Sequence, residues 1–198
     1  MTLLSGVSVP VGVGQDRVAT PLLACRWTLT ILWALFQGRH RPSELQRHIP
    51  GLRRKVLYDR LRKLQGEGLV VAVTGGGYPL RVEYHPTERG MALRPVVEAL
   101  LGDGIPPAVV AEVLKCKWMG CILRLLRERP YRPSELKRAL GGISNKVLAE
   151  RLAKLEALGL VQRQVVATRG VRVLYALTPL AHGWRALGMV LAPPMGPQ

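Results

Sequence analysis

Arg41-Pro42-Ser43-Glu44-Leu45 and Arg132-Pro133-Ser134-Glu135-Leu136 are the same five residues, set 91 positions apart in a chain of 198. The register holds well outside the pentapeptide. Cys25 falls on Cys116, Trp27 on Trp118, and Lys55-Val56-Leu57 on Lys146-Val147-Leu148. Gly68-Leu69-Val70 falls on Gly159-Leu160-Val161, Arg81-Val82 on Arg172-Val173, Tyr84 on Tyr175 and Thr87 on Thr178. From Thr20 to Thr87, about 27 of 68 positions are identical without a gap, too many in one register for chance. The chain is a tandem duplication.

Each copy has the same order of periodic segments. In the first, Leu22, Leu23, Ile31, Leu32 and Leu35 have helical spacing up to Gly38. Pro42 suits the first position of a second helix, where its missing N–H has no intrahelical partner. Pro50-Gly51 ends that helix. A third helix is expected from Leu52 to Gln65, with Leu52, Val56 or Leu57, Leu61 and Leu64 inward. Strands Leu69–Val73 and Leu80–His85 flank a Gly-rich turn, and a last helix covers Thr87–Leu101. The second copy predicts helices 111–127, 133–140 and 143–157, strands 160–167 and 171–177, and a closing helix 180–191. Three helices, a hairpin and a closing helix make a winged helix-turn-helix. The expected fold is mainly α with small β-hairpin wings (α+β), a tandem winged helix-turn-helix with a pseudo-two-fold repeat. The breaker-rich Gly102–Pro107 is the expected linker. The parts are then an N-terminal extension 1–20, module one 21–101, linker 102–107, module two 108–191 and a loose tail 192–198.

Charge points to the partner. The net charge is +16, with about +7 in residues 20–101 and about +10 in residues 108–198, so each module carries its own basic surface. Such a balance favours a polyanion, nucleic acid ahead of an anionic membrane. Three cysteines make no disulfide framework, and neither they nor His40, His48, His85 and His182 have zinc-ligand spacing. Residues 1–14 lack the basic start and cleavage site of a signal peptide, and no apolar run is long enough to span a bilayer. The expectation is a cytoplasmic protein, on the nucleoid, with reduced thiols, no metal or other cofactor and no membrane partner. No phosphate loop, paired carboxylates or recurring Ser/His/acid set suggests an enzyme.

Cys-Arg-Trp-Thr-Leu-Thr-Ile-Leu (25–32), the Arg-Pro-Ser-Glu-Leu helix and Gly-Leu-Arg-Arg-Lys-Val-Leu-Tyr-Asp-Arg-Leu (51–61) together resemble the HxlR-type bacterial transcriptional regulators. Module two is similar at Lys117-Trp118, Ser134-Glu135-Leu136, Gly142–Leu148 and Arg172–Thr178. The resemblance implies double-stranded DNA as partner, and homodimers on palindromic operators. Two modules in one polypeptide depart from that pattern and suggest an intrachain pseudo-dimer. The cysteines depart too: Cys25 and Cys116 sit two residues before Trp, where a thiol-sensing role cannot be carried over. Closing helices often build dimer interfaces, so Thr87–Leu101 and Leu180–Leu191 are expected to pack on each other or form a homodimer.

The third helix of each module is the recognition helix, whose N-terminal half reads base edges while flanking groups grip phosphates. In module one it leaves Arg53, Arg54, Lys55, Tyr58 and Arg62 outward. Arginine can read guanine bidentately. In module two the leading positions are Ser144, Asn145 and Lys146, with Ala149 and Ala153 replacing Tyr58 and Arg62. Asn145 suits adenine, and this helix has fewer cations. A merely solvated charged face is the alternative for both. Arg41 and Arg132 precede the supporting helices and are expected DNA contacts. Ser43 and Ser134 start them, either as phosphate contacts or as helix-start groups. Arg81, Arg172 and Arg169 lie on or near the wings, suited to the minor groove or phosphate. Trp27, Trp118 and the cysteines are expected in the core. The favoured function is a sequence-selective regulator with two unequal DNA-reading heads. The alternatives are an architectural protein that bridges, bends or compacts DNA, and a protein-binding module.

Overall fold

The computed structural model describes residues 19–75, 81–168 and 170–189. Module one contains α1 (Ala19–Leu23), α2 (Arg26–Phe36), α3 (Pro42–His48), α4 (Arg54–Gly66), β1 (Val70–Gly75), β2 (Arg81–Pro86), α5 (Glu88–Ala92) and α6 (Arg94–Leu101). Module two contains α7 (Pro107–Leu114), α8 (Lys117–Glu128), α9 (Pro133–Leu140), α10 (Asn145–Ala157), β3 (Val161–Thr168), β4 (Gly170–Leu177), α11 (Pro179–His182) and α12 (Ala186–Met189). The tandem winged-helix architecture read from the repeat is the one observed. The tail 192–198 and all but the last two residues of the 1–20 extension lie outside the described residues, as do residues 76–80 of the Gly-rich turn and residues 190–191 of the expected closing helix.

Four expected single helices are each two. In both modules the first helix breaks at the aligned cysteines: Cys25 and Cys116 are extended, with φ,ψ of −103°, 117° and −119°, 112°. Apolar spacing continues across each break, so periodicity does not reveal it. The segment 87–101 breaks at Leu93 because Pro95 has no N–H to donate and its ring opposes the carbonyl four residues back. The fourth, 180–191, divides into α11 and α12 around Gly183–Arg185.

Each core is built on a central helix. Leu29, Ile31, Leu32 and Leu35 of α2 are buried, as are Ile122, Leu123, Leu125 and Leu126 of α8. The recognition helices turn Leu57, Leu61 and Leu64, or Leu148, Leu152 and Leu155, toward those centres at helical spacing. The helix-turn-helix corner needs a left-handed residue, met by Gly51 at φ +74° and Gly142 at φ +67°. Each wing is an antiparallel pair, Val70↔Pro86 to Gly75↔Arg81 and Val161↔Leu177 to Thr168↔Gly170. A one-residue antiparallel bridge, not foreseen from sequence, joins module two's wing. There Tyr131 and Tyr175 exchange backbone bonds of 3.0 and 2.8 Å. In module one the Tyr84 N–H donates to the His40 carbonyl at 2.8 Å. The repeated threonine ties each wing's end back to the recognition helix. Thr87 Oγ1 accepts from Gly90 N–H and donates to the Gly68 carbonyl, and Thr178 does the same with Ala181 and Gly159.

The modules are joined by packing as well as by chain. α7 lies against α1, α2 and α6, while α12 lies against α6 and α8. Trp184, 1% exposed, donates its indole N–H to the Leu100 carbonyl at 3.1 Å. Arg185 contacts Asp103 through its backbone N–H (2.8 Å) and its Nε (3.0 Å). The Gly102–Pro107 segment is therefore anchored, and its Ile105 is only 2% exposed. The two closing segments pack against each other within one chain.

Trp184→Ala should lower unfolding stability by about 3–5 kcal/mol in urea denaturation, from lost burial and an unpaired carbonyl. Asp103→Asn, at an exposed pair, should cost under about 1 kcal/mol. Equal small effects from both would contradict the clamp.

Candidate nucleic-acid interface

The helix-turn-helix of each module is α3–α4 or α9–α10. Both supporting helices start alike, with proline inside the first turn and a glutamate reaching back: Glu44 Oε2 accepts from Arg41 N–H at 3.1 Å, Glu135 Oε2 from Arg132 N–H at 2.7 Å. That backbone bond, followed by the Arg129 charge, holds the Glu135 carboxyl below its ordinary range. The helix-start bond is thus made by the glutamates. Ser43 and Ser134 lie exposed on the first turn.

Arg41 is less available than its sequence position suggests. Its Nε pairs with Glu83 Oε1 of β2 at 2.9 Å, tying the start of α3 to the wing. Glu83 also takes His85 Nε2 at 3.4 Å, and the His85 ring stacks on His40 with centroids 4.1 Å apart. Arg41, then His85, lowers the Glu83 carboxyl's proton affinity. Sequence reading missed this cluster, because its two halves are about 40 residues apart and only Arg41 repeats: Leu174 replaces Glu83, Ala176 replaces His85 and Tyr131 replaces His40 in module two. Arg132, without such a partner among the described residues, remains half-buried.

The two recognition helices differ at their first residue. Arg53 precedes α4 in an extended conformation and makes no side-chain cap. Ser144, its counterpart, caps α10 with Oγ accepting from Val147 N–H at 3.2 Å. Arg53, Arg54, Lys55 and Arg62 are exposed and Tyr58 is half-buried, as expected for an outward face. Arg54's guanidinium stands 5.8 Å from the Tyr58 ring centroid, and Arg62 lies 3.8 Å from Asp59. On α10, Asn145 and Lys146 are exposed. Ser134 and Asn145 line one cleft of about 430 Å³ with Lys137, Ala149 and Tyr175. Lys137 was not singled out from sequence, although it sits one helical turn from Ser134; module one has Gln46 there. Arg81 faces Gly75 across one wing and Arg172 faces Val166 across the other, both exposed. Arg169 lies outside the described residues.

The expected core residues sit nearer the surface than sequence suggests. Trp27 and Trp118 are half-buried against the core, with Arg26 and Lys117 at 4.1 and 4.6 Å from their ring centroids. The three cysteines are half-buried and free. Burial pushes the Cys121 thiol up, whereas at Cys25 burial is outweighed by Thr28 and Trp27 hydrogen bonds and the Arg60 charge. Among the described residues no group of three or more His, Cys, Asp or Glu could hold a metal, and no helix is long and apolar enough to cross a membrane.

The profile of the HxlR-like helix-turn-helix family matches residues 22–104 and again 113–191. The HTH-type transcriptional regulators YkvN and YvaP of Bacillus subtilis (strain 168), both described as uncharacterized, are similar over one module's length. YkvN is 36% identical over 84 residues, covering 42% of this chain and 71% of its own. YvaP is 37% identical over 79 residues, covering 40% and 73%. A crystal structure described as a MarR-family transcriptional regulator from Enterococcus faecalis V583 shares 34% identity, covers 48% of this chain and 91% of its own, and has a TM-score of 0.39.

The capping difference has a measurable consequence. Ser144→Ala should cost about 1 kcal/mol of stability, and Arg53→Ser should add up to about 1 kcal/mol by supplying the missing cap. Urea denaturation of the two variants reads both signs.

Proposed function

The chain belongs to the HxlR-like helix-turn-helix family, and we propose that it is a transcriptional regulator binding double-stranded DNA with both reading heads on one polypeptide. The observation that carries this reading is the pair of helix-turn-helix units held together by the Trp184 contact, each with its recognition helix exposing polar or cationic residues. Family relatives described as HTH-type regulators support it. A single chain then supplies what a homodimer supplies elsewhere, and the linkage raises the effective concentration of the second head.

The heads divide the work unequally. Arg53, Arg54, Lys55 and Arg62, with Tyr58 beside them, give module one a cationic face suited to phosphates and guanine edges. Ser144 is committed to its cap, so Asn145 and Lys146 lead in module two, with Asn145 suited to adenine. Ser134 and Lys137 line the same cleft as Asn145 and can hold a phosphate beside it. Ser43 is the matching phosphate contact in module one. Arg81, Arg169 and Arg172 serve as wing contacts to phosphate or minor groove. Arg41 and Arg132 position the supporting helices. The closing segments are engaged within the chain, so one chain per operator is the working stoichiometry, in the cytoplasm.

Selection from a random duplex pool at physiological salt should return two unequal half-sites at one fixed spacing. Equal affinity for random duplex would replace this reading with an architectural role. Arg53→Ala with Arg54→Ala should shallow the salt dependence by roughly 1–2 charges. Asn145→Ala should relax preference at one position of one half-site, at about 1–3 kcal/mol. Electrophoretic or anisotropy titrations over a salt series measure all three.

A further inference from the structure

Four cations, from α8, α10 and the turn between α7 and α8, converge on one cavity of module two. The cavity, of about 360 Å³, lies where α7 gives way to α8 and is backed by α10. Its lining includes Lys115, Lys117, Arg151 and Lys154 against one carboxylate, Glu112, with the Trp118 ring alongside. Glu112 is shared: one oxygen lies 3.0 Å from Lys115 Nζ, and the other accepts from Lys154 Nζ on α10. Those two hydrogen bonds, Lys154 first, hold its carboxyl down at about 2. Among the described residues Lys117 and Arg151 have no ion-pair partner, and Arg151's Nε is buried without a hydrogen bond. Three positive charges are thus left over around a space large enough for a few heavy atoms.

The arrangement belongs to module two alone. In the repeat register Glu112 and Lys115 correspond to Pro21 and Ala24, so module one lacks the carboxylate and the fourth cation. The remaining cations, Arg26, Arg60 and Lys63, recur there, and Arg26 stacks on Trp27.

We propose that this cavity binds a small anion bearing a carboxylate or phosphate group, seated among Lys117, Arg151 and Lys154 beside Trp118, with Glu112 as its intramolecular competitor. An anion gains the same charge-assisted hydrogen bonds that Glu112 now receives from Lys154, together with the two unpaired cations. Lys154 lies on the recognition helix, so displacement of Glu112 severs a direct tie between α7 and α10. Its effect on operator affinity rests on the DNA-binding reading above; anion binding itself does not.

The test is isothermal titration of the full chain, without DNA and at low ionic strength, with inorganic phosphate and separately with benzoate. One or both should saturate at one site per chain, with Kd on the order of 1 mM or below. Phosphate alone would assign the phosphate class, and benzoate alone the carboxylate class. Lys154→Gln should weaken binding about tenfold, and Glu112→Gln should tighten it about threefold or more by removing the competitor. Glu156→Gln makes the same change in net charge from an exposed position of α10 outside the cavity, and should leave the affinity unaltered. No saturable heat with either probe would overturn the proposal. So would equal shifts from Glu112→Gln and Glu156→Gln, which would mean diffuse surface charge only. Because no DNA is present, failure here is separable from failure to bind an operator.

Discussion

The indole of Trp184 meets the Leu100 carbonyl inside the protein, and the placement of both DNA-reading heads depends on that contact. Leu100 stands near the end of α6, where the last carbonyls of a helix have no partner within it. The second module supplies the donor, capping a helix of the first. Buried without that bond, the carbonyl would carry a desolvation cost. The contact also breaks the repeat's symmetry. In the same register Trp184 corresponds to Leu93, which is buried but has no side-chain donor, and Arg185 corresponds to Arg94. Arg94 pairs with Glu98 within its own helix, whereas Arg185 reaches Asp103 in the connecting segment. One duplicated sequence thus holds its two copies together through contacts made in a single direction.

The recognition helices show how the copies diverged without damage to the scaffold. Every helix leaves its first N–H groups unsatisfied, and Ser144 answers one of them on α10. Arg53 leaves its counterpart open and places a cation at the positive end of α4, a doubly unfavourable choice for stability. That cost is understandable where the residue faces a polyanion. With Arg53 in the DNA-facing role proposed for it, stability and partner affinity pull against each other at this position. Module two also gains the cation-lined cavity behind its recognition helix, on the side turned toward α7 and α8.

Much of this was legible in the chain itself. The 91-residue register, the apolar stripe of each recognition helix, the Pro-Ser-Glu-Leu helix starts and the wing pairs all emerge from local pattern, because helix period, strand alternation and turn chemistry act over a few residues. The outward position of Arg53, Arg54, Lys55 and Arg62 follows from the inward position of Leu57, Leu61 and Leu64 on the same helix. Tertiary structure decided what local pattern could not. The breaks at Cys25 and Cys116 fall inside continuous apolar spacing, and α7 is left to pack on the other module while α8 stays in its own. Arg41 is drawn to Glu83, and Lys154 to Glu112, by charges 42 positions away in the chain. Trp184 reads as one more apolar residue until α6 of the other copy presents a carbonyl to it. Sequence by itself determined what each module is, because those interactions are near in the chain; how two modules become one molecule was decided by contacts between residues that only the folded chain brings together.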